Sequence, residues 1–228
     1  MLLLGIDTSA AITAGIIRDD QTLAAITHHE PRRHAELLAP VVAEVIEKAE
    51  IDRGELDGIA VGVGPGPFTG LRIGLVTAQT MAYALDIPVY GVPSMDALAL
   101  AARDAGFEEE LVTICDARRG EVYWARYGPG ETSPVAGPDV ARLADLDLGE
   151  TAAIGRFAPE ANRLQISRTK TPDVDLLDPH GSNIAQLVLQ RRAAGQTEFP
   201  TQPLYLRRPH VQMAEARKRA TPQNRSQQ

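Results

Sequence analysis

The chain has 228 residues, enough for one domain or two small lobes with a real core. Its 44% hydrophobic and 23% charged residues are those of an ordinary globular protein, and no apolar run approaches the roughly 18 residues of a membrane span. The net charge of −7 is uneven: Arg207, Arg208, Arg217, Lys218, Arg219 and Arg225 against Glu215 put +5 on the end of the chain and leave −12 on the body, which excludes a general nucleic-acid binder. The single cysteine, Cys115, excludes an internal disulfide and fits a reducing cytoplasm; it ends an apolar run, as a buried inert thiol does.

In chain order, Leu2 to Ile6 is an apolar strand ending in Asp7-Thr8-Ser9. Ile12 to Ile17 and, after the turn at Asp19-Asp20, Thr22 to Thr27 are two more strands. Arg33 to Glu50 has the period of a helix, interrupted by Pro40. The strand Gly58–Val63, a long helix, the strand Val89–Val92 and a helix from Ser94 to about Arg103 complete a mixed α/β lobe. At Leu111 the opening pattern returns: strand to Cys115, Asp116, the turn Ala117-Arg118-Arg119-Gly120, then strand Glu121–Tyr127. This predicts a duplicated, smaller second lobe, with the first spanning residues 1–105, the second 106–209 and a basic tail 210–228. From Gly128 to about Leu177 the pattern is irregular, with a short strand at Ala152–Ile154. Asp178-Pro179 then opens a last helix through Ile184 to about Ala194, and Pro203–Arg207 is extended.

The long helix is the unusual one. A Gly64-Pro65-Gly66-Pro67 loop precedes it, Thr69 stands where an N-cap belongs, and Asp86-Ile87-Pro88 stops it after Leu85. Gly70, Gly74, Ala78 and Ala82 recur every four residues, leaving one ridge nearly without side chains. Each interior glycine costs roughly 1 kcal/mol relative to alanine, so something must approach closely enough to offset it. Two readings stand open: packing within the chain's own lobe, or a subunit interface flanked by Leu71, Arg72, Leu75 and Gln79.

A phosphate loop is the other use of such glycines, and it fails on chemistry. Phe68-Thr69-Gly70-Leu71 has no lysine for the phosphates, Pro65 and Pro67 lack amide hydrogens, and Pro67 stands where a dinucleotide fingerprint needs its third glycine. The two aspartate turns could clamp nucleotide phosphates and Mg²⁺ across a cleft in a small-molecule kinase or ATPase. Asp7, Thr8 and Ser9 keep that polarity, but Asp116 is followed by Arg118 and Arg119 where small residues should be. His28, His29 and His34 lack the i, i+4 spacing of a metal pair, His180 and His210 are isolated, and Ser9, Ser94 and Ser182 have no histidine nearby in sequence.

Five segments in order, MLLLGIDTS, RRHAELLAPVV, GVGPGPFTGLRIGLVTAQTMA, CDARRGEVYWARY and PLYLRRP, resemble the TsaB (YeaZ) family from Met1 to about Pro209. The resemblance implies an actin-like, Hsp70-like fold of two RNase H-like lobes. It also implies a non-catalytic partner of TsaD in the bacterial complex, completed by the ATPase TsaE, that puts threonylcarbamoyl on the adenosine next to the anticodon of tRNA. No cofactor of its own is expected, with at most weak ATP binding. TsaD carries a His-x-x-x-His metal pair; here His34 is followed by Leu38, so the second ligand is missing, and with it the basis for a glycoprotease reading. The resemblance implies a helical bundle with the partner, made by His34, Leu37, Leu38 and Val41 of the first helix and by Phe68, Thr69, Gly70, Leu71, Arg72, Gly74, Leu75, Ala78, Gln79 and Ala82 of the long one. The same surface would pair two copies of this chain in a homodimer.

Overall fold

The computed structural model of the chain describes residues 1–30, 33–149, 151–155 and 178–207. Its first sheet has the order β3-β2-β1-β4-β5, from β1 (Leu2–Asp7), β2 (Ile12–Arg18), β3 (Gln21–His28), β4 (Gly58–Gly62) and β5 (Val89–Val92). The first three strands run antiparallel, with Asp7 opposite Thr13, and β4 and β5 add in parallel. The second sheet, β8-β7-β6-β9, repeats the scheme with β6 (Leu111–Asp116), β7 (Glu121–Tyr127), β8 (Pro134–Arg142) and β9 (Ala152–Ile154). Again a meander runs outward from an aspartate-terminated strand, and a parallel strand flanks it on the other side. This is the two-lobed, mixed-sheet α/β architecture that the repeated sequence pattern predicts.

Alternation along the strands sorts the core. Leu2, Leu4 and Ile6 point to one face, where α1 (His34–Lys48) and α2 (Phe68–Leu85) cover them; Leu3 points to the other. Buried on both sides, the inner strands read as continuous apolar runs. Helix α3 (Ser94–Asp104) is buried along most of its length, because Ala97 and Leu100 face the first sheet while Met95, Leu98, Ala99 and Ala102 face the second.

Helix α4 (Gly181–Ala193), grouped by sequence position with the second lobe, instead closes the back of the first sheet. A Cβ on Gly5 would lie 1.8 Å from the Gly181 carbonyl oxygen, so the helix start rests directly on β1. Between α3, α4 and β7 lies one buried ionic group. Asp96 accepts from the Tyr127 hydroxyl and from Arg191, each at 2.7 Å. The tail 210–228 lies outside the described residues.

Candidate functional site

The turn after β1 is the place a phosphate would occupy in the kinase reading, and the chain fills it with itself. Asp7 is fully buried; it accepts from the Ser9 amide at 2.8 Å, the Ser9 hydroxyl at 2.6 Å and the Ser94 hydroxyl. A Cβ on Gly62 would fall 1.8 Å from its Oδ2, and one on Gly66 would fall 2.9 Å from the backbone of Ser9. The Gly64–Pro67 loop therefore sits on the turn, and the carboxylate has protein on every side that these contacts define. Burial pushes Asp7 up to about 6, with the Ser9 and Ser94 hydrogen bonds pulling the other way and the charge of Asp178 adding to the rise. Thr8 points at α2, its hydroxyl donating to the Gly70 carbonyl at 2.8 Å.

The second turn is more open. Asp116 accepts from the Arg118 amide at 2.8 Å, and its other oxygen lies 3.4 Å from the Arg118 guanidinium. Arg118 and Arg119 stand at φ 66° and 60°, in the left-handed region that favours glycine. With Gly66, Pro67, Phe68, Tyr123 and Tyr205, this turn lines a cavity of about 200 Å³. Cys115 is buried just before it; desolvation and the charges of Asp7, Asp178 and Asp116 push its thiol up, which holds it protonated and unreactive.

His34 opens α1, half-buried; burial lowers its pKa, while a backbone bond with Ala10 raises it. Leu38, one turn on, is 1% exposed and packs in the core. His29 lies 3.4 Å from Asp178, and His180 pairs with the Thr27 hydroxyl. Among the described residues no group of three or more His, Cys, Asp and Glu side chains could hold a metal ion.

The glycine ridge of α2 faces inward. A Cβ on Gly70 would meet the Thr8 carbonyl oxygen at 2.6 Å, one on Gly74 would meet the Thr8 hydroxyl at 2.3 Å, and Ala78 and Ala82 belong to the first core. This corrects the interface reading of the ridge: β1 and its turn occupy the groove and leave no room for a neighbour. Leu71 and Leu75, with Leu38 and Val41 of α1, are buried too, and Leu37 packs against the first core. Thr69 is the second residue of the helix; Pro67 holds the N-cap position and has no side-chain hydrogen bond there.

What α2 shows to solvent is its opposite face. Phe68 is 41% exposed, Val76 59% and Tyr83 91%, with Thr69, Arg72 and Gln79 exposed on the same side. The Arg72 guanidinium lies 3.8 Å over the Phe68 ring. Val76 and Tyr83 were not singled out in the sequence, although Phe68, Arg72, Val76, Gln79 and Tyr83 follow the three-and-four spacing of one helical face. Nothing in that spacing alone says whether the bulky or the bare face turns outward.

Residues 21–212 match the family described as TsaD: tRNA N6-adenosine threonylcarbamoyltransferase. The tRNA threonylcarbamoyladenosine biosynthesis protein TsaB of Escherichia coli is 29% identical over 222 residues, covering 91% of this chain and 95% of its own. The solved structure of YeaZ from Pseudomonas aeruginosa superposes with a TM-score of 0.71 at 27% identity, over 90% of this chain and 99% of that one. The chain belongs to the TsaB (YeaZ) family. A longer, uncharacterized protein of Mycobacterium leprae is 40% identical over 213 residues, which is 91% of this chain but 55% of that relative. The YeaZ match extends over both sheets, so the two-lobed fold is that of the family. No helix among the described residues is long and apolar enough to cross a membrane.

Proposed function

We propose that this TsaB-family chain is a non-catalytic subunit in the formation of threonylcarbamoyladenosine next to the anticodon of tRNA. It docks a TsaD-like catalytic subunit on the outer face of α2 and holds it in a competent state, with a TsaE-like ATPase completing the assembly. The observation that carries this reading is the exposed apolar line Phe68–Val76–Tyr83, whose outermost ring is 91% exposed. A partner homologous to this chain brings an equivalent helix, and two such faces can pair about a common axis. The match of this chain to the TsaD family supports that choice of occupant. Without the partner, the same face pairs two copies of the chain, so homodimer and heterodimer compete.

The filled turn around Asp7 supports the scaffold role, since three donors and the Gly62 backbone occupy the carboxylate that a kinase would turn toward Mg²⁺. The test is calorimetry with the TsaD subunit of the same organism. Val76→Glu and Tyr83→Glu should each weaken the complex about tenfold or more, as truncation of interface anchors does. Depletion of the chain should remove threonylcarbamoyladenosine from tRNA. Absence of any complex, wild-type affinity in both variants, or ATP turnover by the isolated chain would overturn the reading.

A further inference from the structure

The segment from Phe199 to Arg207 is neither helix nor strand, yet it is tied down at both ends. The Gly91 amide donates to the Phe199 carbonyl at 3.1 Å and the Leu204 amide to the Val63 carbonyl at 2.8 Å, so it follows the edge of the first sheet. It then crosses the start of α2. There the Tyr205 ring lies 5.0 Å from the Phe68 ring and its hydroxyl accepts from Arg72 Nε at 3.1 Å, while further along the helix Gln79 donates to the Thr201 hydroxyl. Leu206 packs into the second core, and Arg207 pairs with Glu121 and donates to the Arg118 carbonyl. Within three residues the chain passes from the exposed face of α2 to the β6–β7 hairpin.

That hairpin turn is held in an uncommon backbone state, with two arginines at positive φ, and the 200 Å³ cavity separates it from the start of α2. Left-handed backbone at a non-glycine residue is strained, and the cavity leaves open space beside the turn.

We propose that Thr201–Arg207 is a coupling strap, which passes the state of the α2 outer face through Tyr205 and Arg207 to the turn Arg118–Gly120. Its trigger rests on the docking reading: a partner that covers Phe68 and engages Arg72 must disturb the Arg72–Tyr205 bond and the stacked rings. A shift of Tyr205 is then carried along the chain to Arg207, whose guanidinium is bonded to both sides of the turn. The strap's mechanics do not depend on the partner. Two sites become coupled when one element is bonded to both and answers to both.

Amide hydrogen exchange on the intact chain tests this without a partner. The Ala117, Arg118 and Glu121 amides are bonded to Glu121 O, Asp116 Oδ1 and Arg118 O and report the turn, while the β1 amides report general loosening. Arg72→Ala should speed exchange at the turn about fivefold or more and leave β1 unchanged; Tyr205→Phe, which keeps the ring, should do the same, and the two together should add nothing further. Turn exchange within about twofold of wild type, or equal acceleration in β1, overturns the proposal. With saturating TsaD subunit, the turn should change protection in the wild type and not in Tyr205→Phe. A complex that leaves the turn untouched refutes the trigger, whereas failure to form a complex sinks the docking reading and leaves the partner-free result standing.

Discussion

Gly74→Ala separates an inward ridge from an outward one. The added methyl would be placed 2.3 Å from the Thr8 hydroxyl oxygen, far inside contact distance. Thr8 is 1% exposed and its hydroxyl is committed to the Gly70 carbonyl, so it cannot rotate away without giving up that bond. Overpacking a tight site costs about 1–3 kcal/mol, and losing a buried hydrogen bond costs about 1 more. Against this, alanine is better than glycine inside a helix by about 1 kcal/mol. The net is a loss of about 2 kcal/mol, or about 4–8 °C in Tm for a chain of this size. Thermal and urea melts of the isolated protein measure it. A variant melting at or above the wild type would mean that the helix needs no close approach to β1, and the inward assignment of the ridge would fall.

Three further outcomes follow from the same geometry. Burial holds Asp7 at about 6 against an ordinary 3.8, so the folded chain favours the protonated acid. The stability gained from that proton is complete below the unfolded value and is lost as pH rises through about 6, an effect of about 3 kcal/mol over two units. Asp7→Asn cannot titrate, so the wild-type advantage over it should shrink between pH of about 4 and about 6 in urea titrations; a flat difference refutes the assignment. Arg191→Met leaves Asp96 buried with only the Tyr127 hydroxyl and should cost about 3 kcal/mol in urea unfolding, against less than about 1 if the pair is incidental. Tyr83→Glu should stay within about 0.5 kcal/mol of wild-type stability while shifting the isolated chain toward monomer in sedimentation, and an unchanged association state would count against the α2 face.

Much of the fold is legible because periodicity and punctuation agree. The strands around Asp7 and Asp116, the helix stopped at Asp86, and the repeat of the opening pattern all stand where alternation and turn residues put them. Strand β8 is not legible: Pro134, Gly137 and Pro138 interrupt it, and such residues survive in a strand only at a sheet edge, which is where topology places it. The site was harder to read. A bare helical ridge marks close approach, but only the turn at Thr8, 62 residues before Gly70, reveals whose backbone approaches. The Ser94 hydroxyl beneath Asp7 and the Tyr205 ring beside Phe68 depend likewise on long-range contacts that no local pattern encodes.

The late position of α4 in the chain bears on synthesis. The helix start that seals Gly5 follows it by 176 positions, at Gly181. At ribosomal speeds of about 5–20 residues per second, that interval is about 10–35 s. Throughout it, Leu3 and Ile17 on the rear of the opening sheet lack the cover of Ile184 and Val188, so the nascent chain presents a greasy slab that invites chaperones or aggregation until α4 is made.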